Sequence, residues 1–339
     1  MSCGIDIGTC FLVSSRQDDN GKIQYKTIRD AFLDMENTEP QVKNMLKMSK
    51  TDFIEAGEKL YIIGNSALTM ANIFKREARR PLSKGTLAPG ESEAEKILLT
   101  LIDNILGKAV TLNETCFYSI PGNPNDRSMD IVYHSAMLSK LISSLGYKPV
   151  AMNEAAAISY SNAAKENFSS LSISMGAGMV NVCLMFQTMI GMSFSVIGSG
   201  DWLDESVAKA TGTTGSRIQA VKERGLNLLD PNEGDSKTFR EREALVIYYK
   251  SLILRVLDSI KNEFLKHQGI ELPNAVPIIL SGGTALAKGF KDLFEAGYSS
   301  IKNNFPIPVS EIRMATDPLN AVAQGLLVAA MNYDEGNKK

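Results

Sequence analysis

Apolar residues follow two rhythms along this chain. In "CGIDIGTCFLVSS" (3–15) they crowd either side of Gly8, which predicts a strand, a glycine turn and a second strand. "DDNGK" then carries Asn20-Gly21, a strong hairpin signal, and "IQYKTIRDAFL" alternates like a third strand. "DFIEAGEKLYIIGNSALTMANIF" predicts a short hairpin around Gly57-Glu58 followed by a helix. "ESEAEKILLTLIDNILGK" changes to the helical period, with Ile97, Leu98, Leu101, Ile102 and Ile105 on one face. "ETCFYSIPG" predicts a buried strand, "DRSMDIVYHSAMLSKLISSLGY" a helix, and "KPVAMNEAAAISYSNAA" a short strand, a turn and a helix from about Asn153.

The second half restarts in the same order. Residues 169–198 predict strand, glycine turn, strand and a third strand in "MIGMSFSVIG". Helices follow at "DWLDESVAKATG", "SRIQAVKERG" and about residues 240–267. "AVPIILSGG" predicts a buried strand running into the helix "TALAKGFKDLFEAG", and "DPLNAVAQGLLVAAMN" an apolar closing helix. The halves repeat an architecture rather than residues, and no low-complexity linker separates them. They are expected to pack closely and share a cleft.

Composition narrows the function. With 339 residues, 44% of them hydrophobic, the chain is long enough for two lobes with a sizeable core. A formal net charge of -2 argues against a mainly electrostatic nucleic-acid binder. Cys3, Cys10, Cys116 and Cys183 form no CxxC pair and are expected to be buried free thiols. His134 and His267 lack metal-ligand spacing and are expected on the surface or on helices. No leader is expected, since Met1 runs into a strand-like segment, and no apolar run reaches membrane-spanning length; a cytoplasmic protein is the expectation.

The candidate chemistry lies in the turns. "DIGTC" would present amides of Gly8, Thr9 and Cys10, and "GAGM" those of Gly176, Ala177 and Gly178 from the facing half, a pair of donor sets suited to an oligophosphate. Asp6 is placed to hold a hydrated Mg2+. "LSGGTALAKG" supplies a third glycine turn that a flat base can approach. In "REARRPLSKGTLAPG", Arg76, Arg79 and Arg80 read singly as a solvated face and together as a candidate contact.

These motifs occur in an order that resembles the actin-like ATPase superfamily, and within it the bacterial actins of the MreB and MamK kind, over nearly the whole chain. "GIDIGT" is similar to the first phosphate motif, "RPLSKGTLA" to a segment leading from the small upper subdomain, "NEAAAISY" and "DPLNAVAQG" to the connecting motifs, "MGAG" to the second phosphate motif, and "ILSGGTALAKG" to the adenosine motif. The resemblance implies an α/β, ribonuclease-H-like duplicated fold with four subdomains around a nucleotide cleft. It implies a first lobe over 1–160 with an insert at about 31–90 and a returning helix at 317–339, and a second lobe over 161–316.

The resemblance also implies roles. Asp6 would organise Mg2+, Glu154 would position the attacking water, Gly200 and Asp201 would belong to the Gly-Asp segment, Lys222 and Glu223 would approach ribose and base, and Gly282, Gly283 and Thr284 would lie against the nucleoside. The expected ligands are ATP, or GTP, with Mg2+. The expected function is a filament-forming protein with slow hydrolysis; the alternative is a nucleotide-dependent scaffold that neither polymerises nor hydrolyses. No sugar-kinase signature is present, and a chaperone of the superfamily would need a substrate domain after residue 339. The chain departs from the family where Ser174 replaces an acidic residue, Asn181 replaces an Asp, and Met179 and Val180 replace hydroxyls. On that reading binding survives and cleavage is weakened, so a Ser174→Asp change is expected to speed turnover.

Overall fold

The computed structural model describes residues 2–36, 40–49, 51–56, 58–125, 131–267 and 269–336. The alternating start folds into β1 (Cys3–Ile7), β2 (Phe11–Gln17) and β3 (Ile23–Arg29), an antiparallel meander. The run "IQYKTIRDAFL" is two strands rather than one. It breaks at buried Asp30, and β4 (Phe32–Glu36) joins a different sheet. That three-stranded sheet pairs β4 with β6 (Lys59–Ile63), and β6 with β5 (Phe53–Ala56). The expected hairpin is therefore present between β5 and β6, although its Gly57 lies outside the described residues. Two helices, α1 (Pro40–Met48) and α2 (Gly64–Phe74), complete this insert. A small hairpin, β7 (Leu82–Ser83) with β8 (Thr86–Leu87), leads out of it.

Helix α3 (Ala94–Leu106) buries all five apolar residues predicted for its inner face. After it β9 (Glu114–Ile120) pairs parallel with β1, and α4 (Ile131–Ser144) leads to β10 (Tyr147–Asn153), parallel to β9. The first sheet has the order β10-β9-β1-β2-β3. Helix α5 (Glu154–Asn162) follows β10 directly, and the Asn153 side chain caps it by accepting from the Ala156 amide.

The second sheet repeats this topology. Strands β11 (Ser170–Met175), β12 (Met179–Phe186) and β13 (Met189–Ile197) form a meander. Helices α6 (Gly200–Thr211), α7 (Gly215–Glu223) and α8 (Phe239–Lys266) then precede β14 (Val276–Ser281), which runs parallel to β11. The segment after Gly283 is a short 3-10 turn, not a helix from Thr284. Gly289, at φ +79, caps α9 (Phe290–Ile301). Strand β15 (Val309–Met314), absent from the sequence reading, pairs parallel with β14 and gives the order β13-β12-β11-β14-β15. Numbered within each sheet, both orders are 3-2-1-4-5.

Helix α10 (Ala321–Gly336) closes the chain by packing on β1, β9 and α5. One core lies between the second sheet and the α6, α8 and α9 helices, with Tyr249, Phe290 and Phe294 fully buried; another lies between the first sheet, α3 and α4. Cys3, Cys116 and Cys183 are buried free thiols, but Cys10 is only half-buried. His134 is buried in α4, where desolvation lowers its pKa to about 4.

Candidate functional site

The two equivalent hairpins point their turns at one another across the cleft. In the first, the Gly8 amide donates to the Phe11 carbonyl at 3.1 Å; in the second, the Gly176 amide donates to the Met179 carbonyl at 3.1 Å. The same bond closes both turns. Gly8 and Gly176 are therefore engaged internally, whereas the amides of Thr9, Cys10, Ala177 and Gly178 donate no hydrogen bond among the described residues. Side chains at these glycines would fill the turns, since a Cβ on Gly8 would lie 3.0 Å from Phe11 O and one on Gly176 3.2 Å from Met179 O.

These turns line a cavity of about 790 Å3, whose wall includes every site residue expected from the sequence. Asp6 and Glu154 stand on the first-sheet side. Ser174 lies on the second-sheet side, and Gly200 and Asp201 begin α6. Gly282, Gly283 and Thr284 form the third turn, where Gly282 has φ +94 and a Cβ would overlap the Met175 carbonyl. Thr284 ties that turn to the second hairpin by donating from Oγ1 to Gly176 O at 2.7 Å.

Lys222 and Glu223 reach the same wall but have protein partners. The Lys222 ammonium donates to Gly200 O at 3.0 Å and to Asp204 Oδ2 at 2.9 Å, holding α7 to the start of α6. Desolvation raises Asp204 to about 6, opposed by Lys222. Glu223 lies 3.9 Å from the Arg29 guanidinium across the cleft.

The carboxyls show how the site works electrostatically. Ser119, beside β1 on β9, donates from Oγ to Asp6 Oδ1 at 2.8 Å and accepts from the Ile7 amide. Desolvation pushes Asp6 up to about 6 against that bond. Glu154 is the first residue of α5. Desolvation, then the nearby Asp6, push it to about 8, while the Ser174 hydroxyl opposes the rise. Ser174 donates from Oγ to Glu154 Oε1 at 2.6 Å, and Asn181 donates from Nδ2 to Glu154 Oε2 at 2.7 Å. Two of the four residues at which the chain departs from the family pattern, Ser174 and Asn181, thus converge on one carboxylate. The departures are legible in the sequence; their common target requires the fold.

Sequence reading placed Arg80 with its neighbours as a solvated face or a contact, and the fold separates them. Arg76 and Arg79 pair with Asp34 inside the insert. Arg80 crosses the cleft, with Nη1 3.0 Å from both carboxylate oxygens of Asp201. The β7–β8 hairpin follows it into the cleft mouth: the Gly85 amide donates to Thr9 Oγ1 at 3.0 Å, and a Cβ on Gly178 would lie 2.5 Å from Gly85 N. Met179 packs against Gly85 and is buried, as is Val180, and neither side chain carries the hydroxyl common at these positions.

Oδ2 of Asp6 accepts no hydrogen bond among the described residues. A desolvated carboxylate with one oxygen fixed and one open suits Mg2+, which commonly takes one or two protein carboxylates and completes its shell with phosphate and water. No group of three or more His, Cys, Asp or Glu side chains suited to enclosing a metal occurs among the described residues, so such a shell would depend on the ligand.

Comparison with known proteins agrees with this architecture. The MamK double helical filament structure superposes with a TM-score of 0.71 at 16% identity, covering 97% of this chain and 98% of that one. MreB5 of Spiroplasma citri bound to ADP gives 0.64 at 14% identity, covering 100% and 99%. The ethanolamine utilization protein EutJ from Carboxydothermus hydrogenoformans gives 0.54 at 14%, covering 96% and 89%. The fold is therefore actin-like. A search of the curated proteins matches none of them. A sequence model of the Volactin family matches residues 1–330, and on that match the chain belongs to the Volactin family.

Proposed function

We propose that this protein binds a nucleoside triphosphate, ATP or GTP, with Mg2+ in the cleft between its two sheets, assembles head to tail into cytoskeletal filaments, and hydrolyses the nucleotide slowly. One observation carries the reading: two hairpin turns, closed by the same backbone bond, face one cavity with unengaged amides at Thr9, Cys10, Ala177 and Gly178. Fixed donors converging from two sides suit a polyphosphate chain. The similarity to structures described as a MamK filament and as MreB5 with ADP and with AMPPNP supports it. Among the described residues no helix is long and apolar enough to cross a membrane.

In this reading Asp6 holds Mg2+, which supplies charge neutralisation at the phosphates. Thr9, Cys10, Ala177 and Gly178 bind phosphate oxygens through their amides, and the turn at Gly282, Gly283 and Thr284 leaves room for the nucleoside. Glu154 orients the attacking water. Contacts between a surface of one copy and a different surface of the next generate an open filament rather than a closed ring. Met179 and Val180, both buried, favour the second reading, a non-hydrolysing scaffold.

Pelleting with Mg-ATP, Mg-ADP and no nucleotide, with negative-stain imaging of the pellets, tests the proposal. Filaments are expected with Mg-ATP, and Asp6→Ala is expected to abolish the metal-dependent response. Nucleotide binding without assembly would leave the scaffold. Unchanged Mg-ATP behaviour in Asp6→Ala would remove Asp6 from the site.

A further inference from the structure

Ser174 and Asn181 are direct cross-strand partners on β11 and β12. Their side chains leave the sheet on the same face and reach the first residue of α5, each taking a different oxygen of Glu154. Both are almost completely buried, at 2% and 1% exposure, so these hydrogen bonds form away from bulk water. The Asn181 amide has one workable orientation. Its Oδ1 accepts from the Gly122 amide at 2.9 Å, which directs Nδ2 at Glu154. A flipped amide would set its NH2 against an N–H and its oxygen against a carboxylate. The Asn153 cap fixes the backbone from which Glu154 projects.

Resting on the nucleotide-cleft reading above, we propose that Ser174 and Asn181 are positioning residues that clamp the Glu154 carboxylate for activation of the water that attacks the terminal phosphate. Each carboxylate oxygen keeps further acceptor capacity after taking its clamp bond. Glu154 therefore remains able to accept from water, in one fixed orientation. In the step served, the water oxygen bonds to the terminal phosphorus and the bond from that phosphorus to the bridging oxygen breaks. The bridging oxygen leaves with the nucleoside diphosphate, and the proton of water passes through Glu154 to the phosphate formed. Nucleotide and water are the only reactants.

The serine is consequently a replacement of function and not a loss. An aspartate at 174 would set a second carboxylate against Glu154 in place of a donor. Two carboxylates at that distance repel one another, so Oε1 of Glu154 loses its positioning bond and the carboxylate leaves its fixed orientation. Ser174→Asp is therefore expected to slow turnover, the reverse of what the family pattern alone suggests.

The test is single-turnover hydrolysis of Mg-ATP and Mg-GTP alongside nucleotide affinity, for wild type, Ser174→Thr, Ser174→Ala, Ser174→Asp, Asn181→Asp and Glu154→Gln. Asn181→Asp is isosteric and keeps the acceptor for Gly122, so it guards against simple misfolding. Loss of one positioning bond is expected to lower the cleavage rate about ten- to hundred-fold, with affinity changed less than about threefold. Ser174→Thr should keep most of the rate. Adding Asn181→Asp to Glu154→Gln should cause no further loss, since the clamp acts through Glu154. The clamp is overturned by wild-type rates in Asn181→Asp, by a faster Ser174→Asp, by additive loss in the double variant, or by nucleotide binding without cleavage in the wild type. Absence of nucleotide binding in the wild type would instead overturn the cleft reading itself.

Discussion

Asp6 and Glu154 share the cleft at about 6 and about 8, above their ordinary values of 3.8 and 4.5. An acid whose pKa is raised by folding holds its proton longer in the native state than in the unfolded chain. Between the two values the native state binds more protons, so stability falls as pH rises. The protein free of metal and nucleotide is expected to melt at a lower temperature at pH 8 than at pH 5. Glu154→Gln should flatten the part of that slope between about pH 4.5 and pH 8. The glutamine can still accept from Asn181 and donate to Ser174. Melting curves of wild type and variant across this range decide it, and identical slopes would assign the pH dependence elsewhere. Asp6 was legible in the sequence because it precedes the glycine turn at Gly8, and Glu154 because it stands in "NEAAAISY", which resembles a connecting motif. Ser119 was legible only as a strand residue and Asn181 only as a departure without a target, because their partners are 113 and 27 positions away.

At the scale of elements, the crossing of α5 and α10 joins the two connecting motifs. A Cβ on Gly325 would overlap the Ala157 carbonyl, so the helices meet backbone to backbone. Gly325→Ala forces them apart, and overpacking of this kind costs about 1–3 kcal/mol. Urea unfolding should show that loss; an unchanged midpoint would mean that the crossing yields easily. Elements were legible where their pattern was strong. Helix α3 has five apolar residues on one face, and β1 and β2 are apolar around a glycine. Strand β15, "VSEIRM", was missed because Glu311 and Arg313 interrupt its apolar pattern and its pairing with β14 sets its conformation. The segment after Gly283 resembled a helix until Gly289 broke it with a left-handed backbone.

At the scale of the whole molecule, Arg80 is a polar bridge between the insert and α6. Asp30 lies near it, with one oxygen accepting from the Leu82 amide and Oδ1 buried without a partner among the described residues; desolvation raises its pKa well above the ordinary value. The Arg80–Asp201 pair is about one-third exposed on each side. Its contribution to folding is therefore expected to be about 1 kcal/mol or less. Its geometric effect should be larger. Arg80→Ala is expected to leave the melting temperature nearly unchanged while widening the nucleotide-free protein in small-angle scattering and speeding nucleotide release. If both size and release match wild type, Arg80 does not control the cleft. No sequence pattern connects residues 80 and 201, so this contact could be found only in three dimensions.

Helix α10 also bears on how the molecule is made. It supplies Ala321, Leu326 and Ala330 to a core shared with Phe117 and Ala157, and the Ser15 hydroxyl donates to Ala323 O at 2.6 Å. Glycine at position 4 lets it approach β1, since a Cβ there would lie 2.6 Å from the Leu327 amide nitrogen. A chain leaving the ribosome from its N-terminus presents β1, β2 and β9 long before residues 321–336 emerge. The second sheet and its helices can form while the first sheet still shows one apolar face to water. The first sheet is thus expected to complete its packing only after α10 emerges, although its strands are made first.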